Sequence, residues 1–257
     1  MSGTTHELWD YVTRRVPQNE KWIFQNLKGK MEQVLKMKPN SLNREFPGAQ
    51  VTSLDLPLLR DVLCKQDFYV CEKTDGERYL MILMPMGIKE FGGSILMSRK
   101  NEMRVLKGLE MPTEFATEKR TLLAHNMTIL DGELVRPKLV NGTQPKLKYL
   151  IFDILALNGE KMTGDVRQLD LCNRLRLIRS HVLQPSFHSK YAELRKRWPI
   201  DMGMKEMYLK QHTRHVLSMI PHLPHGNDGL VFTPVKEMYV VFLIISHFYV
   251  STTVRRI

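Results

Sequence analysis

Apolar residues along this chain alternate between helical and strand-like spacing. Near the amino terminus Trp9, Val12 and Val16, and then Ile23, Leu27, Met31 and Val34–Leu35, recur three or four residues apart, as on one face of a helix. Pro39 and Pro47-Gly48 punctuate that region. From about residue 67 to 155 the period shortens, predicting strands at Phe68–Cys71, Arg78–Met84, Ser94–Ser98, Thr128–Val135 and Tyr149–Leu155. Leu169, Cys172, Leu175 and Ile178 restore helical spacing over Val166–His181, and a further helix is expected across Met204–Ile220. A last strand, Gly229–Pro234, follows the turn His225-Gly226-Asn227. No internal repeat is present. The order predicts an α+β fold of antiparallel sheets with flanking helices.

Residues 239–250 are almost wholly β-branched and aromatic. The run is shorter than the roughly 18 apolar residues of a membrane span, so no membrane association is expected. It reads either as a buried strand or as sequence foreign to the domain, and Val240–Ile245 has the makings of an exposed, aggregation-prone strand.

Composition narrows the class. The chain has 257 residues, 43% of them hydrophobic and 25% charged, which excludes wholesale disorder. Its formal charge of +11 favours polyanionic partners such as RNA, DNA or nucleoside triphosphates, although a merely basic surface would look the same. Cys64, Cys71 and Cys172 match no disulfide framework or zinc spacing and suggest a reducing compartment. The polar opening Met1–Glu7 carries no secretory signal, and no Walker-type phosphate loop is present.

The strongest chemical signal is Glu72-Lys73-Thr74-Asp75-Gly76-Glu77-Arg78, set between two apolar strands. A lysine there is costly to bury; desolvated or beside positive charge, it becomes a nucleophilic amine. Gly76 permits close backbone approach to a ligand, and the Arg78 fork suits phosphate or ribose oxygens. Taken alone, the segment also reads as an exposed Asp-Gly turn.

The segment has company. Lys-x-Asp-Gly-x-Arg resembles the signature of the covalent nucleotidyltransferases, which include capping guanylyltransferases and DNA and RNA ligases. Ser98-Arg99-Lys100-Asn101, Leu130-Asp131-Gly132-Glu133-Leu134-Val135, Tyr149–Leu155 and Asp228–Pro234 resemble that superfamily's later motifs, in order. Phe46–Leu54 resembles a stretch typical of mRNA capping guanylyltransferases rather than ligases, and His225–Thr233 resembles the fungal-type alpha subunit of that family. The resemblance implies a ligase/guanylyltransferase-type nucleotidyltransferase domain at 45–237, with 1–44 as its helical amino-terminal part. Residues 238–257 form a non-matching tail, expected to mark a truncation. A Leu-Leu-Lys-Trp-Lys-Pro-like motif and a second, OB-fold domain are expected to be absent, which would impair the activity.

By the same resemblance, Lys73 is the nucleophile that takes GMP from GTP and passes it to the 5′-diphosphate end of RNA. Arg78, Arg99, Glu133, Phe152 and Gly76 would bind the nucleotide, with Phe152 stacking on guanine. Asp228 and Glu133 would serve a Mg2+ or Mn2+ ion. A separate RNA 5′-triphosphatase subunit, the RNA polymerase II C-terminal domain and a nuclear location complete the picture. On the residues alone, Phe152 could equally be a core aromatic, Asp228 a turn residue, and Arg99 and Glu133 surface charges. Two other functions compete: an ATP- or NAD-dependent ligase, and a non-catalytic GTP- or RNA-binding remnant.

Overall fold

A computed structural model describes residues 13–14, 21–85, 93–113, 116–117, 120–121, 124–159, 164–239 and 249–253. Its strands are β1 (Thr13–Arg14), β2 (Val51–Ser53), β3 (Phe68–Thr74), β4 (Glu77–Leu83), β5 (Gly93–Ser98), β6 (Met103–Lys107), β7 (Ala116–Thr117), β8 (Arg120–Thr121), β9 (Thr128–Val135), β10 (Lys148–Ala156), β11 (Asp201–Met204), β12 (Tyr208–Leu209), β13 (Asn227–Pro234) and β14 (Tyr249–Thr253). Seven strands form one sheet in the order β1-β6-β5-β4-β9-β10-β11, and five form a second, β12-β3-β13-β14-β2. The chain passes between the sheets at Asp75-Gly76, because β3 belongs to the smaller and β4 to the larger.

The larger sheet is covered on both faces, which is why Tyr79–Leu83 of β4 read as an unbroken apolar run. Successive side chains still point to opposite faces. Tyr79, Met81 and Leu83 join Leu130, Tyr149 and Ile151 in a core that includes Ile178 and Val182. Leu80, Ile82 and Met84 join Ile95, Met97 and Ile129 in another, beneath Ile23, Leu27 and Met31 of the helix Lys21–Val34. A smaller cluster under the second sheet unites Phe68, Val70, Leu230 and Phe232 with Val216.

The structure corrects several sequence expectations. The sheets are mixed, since β10 pairs parallel with β11 and β14 pairs parallel with β2. Thr13–Arg14, expected to be helical, pairs with β6 instead; Trp9, Val12 and Val16 lie outside the described residues. The helix expected across Met204–Ile220 is confined to Thr213–Met219, with single 3-10 turns on either side. Before it, Ile200 and Met202 are buried at strand-like alternation, and β11 docks beside β10. Neither β2 nor β6 was expected. Of the tail, Val240–Ile245 lies outside the described residues, while β14 is hydrogen-bonded on both edges, between β13 and β2. Among the described residues no helix is long and apolar enough to cross a membrane.

Candidate active site

A cleft between the two sheets is lined by Arg78, Glu133 and Phe152, and by Cys71 two residues before Lys73 on β3. Lys73 sits near the end of β3, where its ammonium donates to both carboxylate oxygens of Asp228, at 2.7 and 2.6 Å. Both side chains are partly open to solvent. Asp228 owes its position to a bulge: Asn227 faces Thr74 and Gly229 faces Lys73, so Asp228 is an extra residue in β13. Such an insertion bends a strand locally and re-aims its side chains.

A second bulge sets Phe152. Ile151 pairs with Gly132 and Asp153 with Asp131, leaving Phe152 unopposed in β10. Its flanks Ile151 and Asp153 are buried, whereas Phe152 is only half-buried and lines the cleft with Ala49, Val51, Val231 and Met207. The Arg78 guanidinium lies 5.3 Å from the centre of its ring and the Lys205 ammonium 5.5 Å from it. Both distances are within the range of cation–π attraction.

Arg78 is held firmly. Its Nε and Nη2 donate to the two oxygens of Asp131 at 2.9 and 2.6 Å, Nη1 donates to the Ala49 carbonyl, and the Phe46 ring centre is 5.5 Å away. Asp131 is fully buried and also accepts from the Tyr239 hydroxyl, which in turn accepts from the Ala49 amide. The Arg78 fork is thus oriented by a protein carboxylate rather than left open. Gly76 meets β9, not open space: a Cβ there would stand 2.7 Å from Val135 Cγ1 and 2.8 Å from the Leu134 carbonyl oxygen. The close approach that the glycine permits is therefore to β9, the neighbour of β4 in the larger sheet. Arg99 lies exposed at the end of β5, its Nη2 3.2 Å from Gln50 Oε1.

Glu133 accepts a 3.0 Å bond from Lys205, a buried lysine that sequence reasoning missed. Burial opposes the Lys205 charge, but Glu133 and Glu72 outweigh it and hold the pKa above the ordinary lysine value. Burial likewise pushes the Glu72 carboxyl up, with Lys205 pulling against it. Cys71, buried and beside the same cleft, is pushed up to about 12. Lys205 was hidden because Met204–Ile220 reads as helix; the alternation of Ile200, Met202 and Met204 was the available sign of a strand leading to it. Asp131 and Tyr239 had no sign beyond their place in or beside a motif.

The two candidate metal ligands are each paired with a lysine, Asp228 with Lys73 and Glu133 with Lys205. Among the described residues no three His, Cys, Asp or Glu side chains are placed to hold a metal ion together. That donor set fits an ion carried mainly by phosphate oxygens and water, as magnesium commonly is, and not a built protein cage.

Two sheets meeting at a lysine, with an aromatic and several cations between them, define an α+β domain whose working surface is its inter-sheet cleft. The family model for the mRNA capping enzyme catalytic domain matches residues 10–242. The alpha subunits of the mRNA-capping enzymes of Candida glabrata and Saccharomyces cerevisiae are 34% and 33% identical over 203 residues each, covering 77% and 76% of this chain. That of Schizosaccharomyces pombe is 31% identical over 218 residues, or 83% of the chain. This chain belongs to the family of mRNA capping enzyme catalytic domains. It spans 44%, 43% and 51% of the length of those three relatives. Among solved structures, the ligase domain of M. tuberculosis LigD aligns at a TM-score of 0.45 and 12% identity, covering 83% of this chain and 62% of that one.

Proposed function

We propose that this chain carries the guanylyl-transfer centre of an mRNA capping enzyme. The observation that supports it most directly is Lys73, held against Asp228 and carried on β3, the strand whose Cys71 lines a cleft with Phe152, Arg78 and Lys205. A lysine reacts through its nitrogen lone pair, so the ammonium must first give up a proton. The free amine then attacks the α-phosphorus of GTP: a nitrogen–phosphorus bond forms, the bond to the bridging oxygen breaks, and pyrophosphate leaves. In the second half-reaction a terminal oxygen of an RNA 5′-diphosphate attacks the same phosphorus. The nitrogen–phosphorus bond breaks, the cap forms, and Lys73 recovers a proton.

The cleft favours guanine on chemical grounds. A base on the Phe152 ring gains roughly 1–3 kcal/mol from stacking. The Lys205 ammonium can only donate; guanine offers it two acceptors, O6 and N7, where adenine puts an amino group beside N7. Arg78 and Arg99 would serve the ribose and phosphates. Asp228 and Glu133 would hold Mg2+ or Mn2+ on the triphosphate, and the ion would supply positive charge to the transferring phosphoryl group. The name "subunit alpha" of the relatives supports a second subunit, here an RNA 5′-triphosphatase that makes the diphosphate acceptor. Contact with the RNA polymerase II C-terminal domain and a nuclear location belong to the same reading.

Incubation with α-labelled GTP and magnesium, followed by denaturing electrophoresis, tests this. A labelled band stable to alkali and labile to acid is expected, and none with Lys73→Ala. An adduct that persists in that variant removes Lys73 from the mechanism, and labelling by ATP in preference to GTP transfers the site to the ligase reading.

A further inference from the structure

A second cavity lies outside the cleft. It has a volume of about 780 Å³ and is lined by residues 35–41, Arg44, Glu45 and Arg167. Four of its side chains are cations, Lys36, Lys38, Arg44 and Arg167, against the single carboxylate of Glu45.

The groove is built rather than incidental. Its loop turns through left-handed backbone at Lys36 and Asn40, and the buried Glu32 carboxylate accepts from the Asn40 and Leu42 amides, both at 2.9 Å. At the opposite wall Arg167 is buried, with Nε and Nη2 each 2.8 Å from the Asp165 carboxylate. Lys36 reaches that carboxylate at 3.8 Å. Lys38 and Arg44 are exposed. The walls of the groove are linked to those of the cleft. Arg44 and Glu45 run into Phe46, whose ring packs on Arg78, and the Arg167 carbonyl accepts from the amide of Tyr239, whose hydroxyl reaches Asp131.

We infer that this groove binds the phosphate backbone of the acceptor RNA downstream of its 5′ end. The inference rests on the function proposed above for its choice of ligand. A row of cations tied to the cleft through these contacts offers a single strand several phosphate contacts without reading its bases, and such binding is salt-dependent. The first nucleotide would then lie at Lys73 and the following ones along Lys36, Lys38 and Arg44.

The test uses the full chain, unlabelled GTP, and a 20-nucleotide RNA bearing a 5′-diphosphate, with a dinucleotide 5′-diphosphate for comparison. Fluorescence anisotropy gives the affinity for the long RNA over a range of salt. In Lys36→Gln/Lys38→Gln/Arg44→Gln, the slope of log affinity against log salt should fall by about 2, since each single-strand phosphate contact contributes roughly 0.7. Binding of the dinucleotide and of GTP should stay as in the parent protein. A control removing equal charge elsewhere, Lys65→Gln/Arg176→Gln/Lys190→Gln, should leave the slope within about 0.5.

Unchanged long-RNA binding in the groove variant overturns the inference, as does an equal loss in the control. Loss of binding to an acidic phosphopeptide with RNA binding intact also overturns it and assigns the groove to a protein partner. Failure of the parent protein to form a lysine–GMP adduct would instead count against the proposed function, because the anisotropy measurement needs no turnover.

Discussion

At the scale of single residues, the cleft depends on groups that hold others in place. Asp131 fixes the Arg78 fork from a fully buried position, and Tyr239 donates to the same carboxylate. Breaking a buried ion pair from one side leaves an uncompensated charge, at a cost of about 3–5 kcal/mol. Asp131→Asn should therefore lower unfolding free energy in urea by that order. Tyr239→Phe removes one hydroxyl and orphans the Ala49 amide, for about 1–3 kcal/mol. Because both act on one network, the double variant should lose at least about 0.5 kcal/mol less than the sum; strict additivity would show that Tyr239 does not support Asp131. Lys205 carries a different prediction. If its ammonium reads the guanine edge, Lys205→Met should lower GTP affinity about 10–100-fold, the worth of one charged hydrogen bond, with ATP affinity little changed. Calorimetry showing an equal loss for both nucleotides would indicate a folding fault and not a lost base contact.

At the scale of elements, the two bulges and the sheet crossing govern where the reactive groups lie. Without its extra residue in β13, Asp228 would fall back into ladder register opposite β3; the same holds for Phe152 in β10 opposite β9. The crossing at Asp75-Gly76 is equally constrained, because Gly76 lies against the backbone of β9. Gly76→Val would press a branched side chain into Val135 and the Leu134 carbonyl, and overpacking of this kind costs about 1–3 kcal/mol. Its urea midpoint should drop while Gly108→Ala, with no atom near its would-be Cβ, changes only through its left-handed backbone. A Gly76→Val protein as stable as the parent would mean that the link into β4 can move away from β9 at this point, and that the close contact is not required.

At the scale of the whole molecule, a buried histidine couples stability to pH. His125 sits between Thr128 and Asn158 on one side and the His181 carbonyl on the other, so it ties the end of the larger sheet to the helical region over 171–187. Burial is the main cause that pushes its pKa down to about 4, from an ordinary value of 6.5. In that window the unfolded chain binds a proton that the folded chain does not. The stability is thus fully present above about pH 6.5 and lost as pH falls towards 4, to a total of about 3 kcal/mol. Unfolding by urea at pH 7 and at pH 5 should show the folded state weaker at pH 5. His125→Gln should flatten that dependence by close to one proton. An unchanged slope in the variant would assign the acid sensitivity to other groups.

How far the primary structure can be read depends on the range of the physical cause. Short-range patterns were enough for the apolar strands β3, β4, β5, β9, β10 and β13, because each must bury its own side chains whatever its neighbours are. They were enough, too, for the helix Lys21–Val34, and the Lys73–Arg78 segment stood out because a lysine between apolar strands needs a reason. Ordered motifs then pointed to the capping family. Causes that act across the chain were invisible. Lys205 meets Glu133 from 72 positions away, and Asp131 meets Tyr239 from 108. Strand β11 is short, marked only by the alternation of Ile200, Met202 and Met204, and β2 is exposed in part. Single-residue bulges leave no compositional mark, yet they decide that Asp228 faces Lys73 and that Phe152 faces the cleft. Residue chemistry and periodicity determined what kinds of groups this protein would use. Only pairing register and the meeting of two sheets decided which of them share a site, because register is an interaction between segments and belongs to neither one alone.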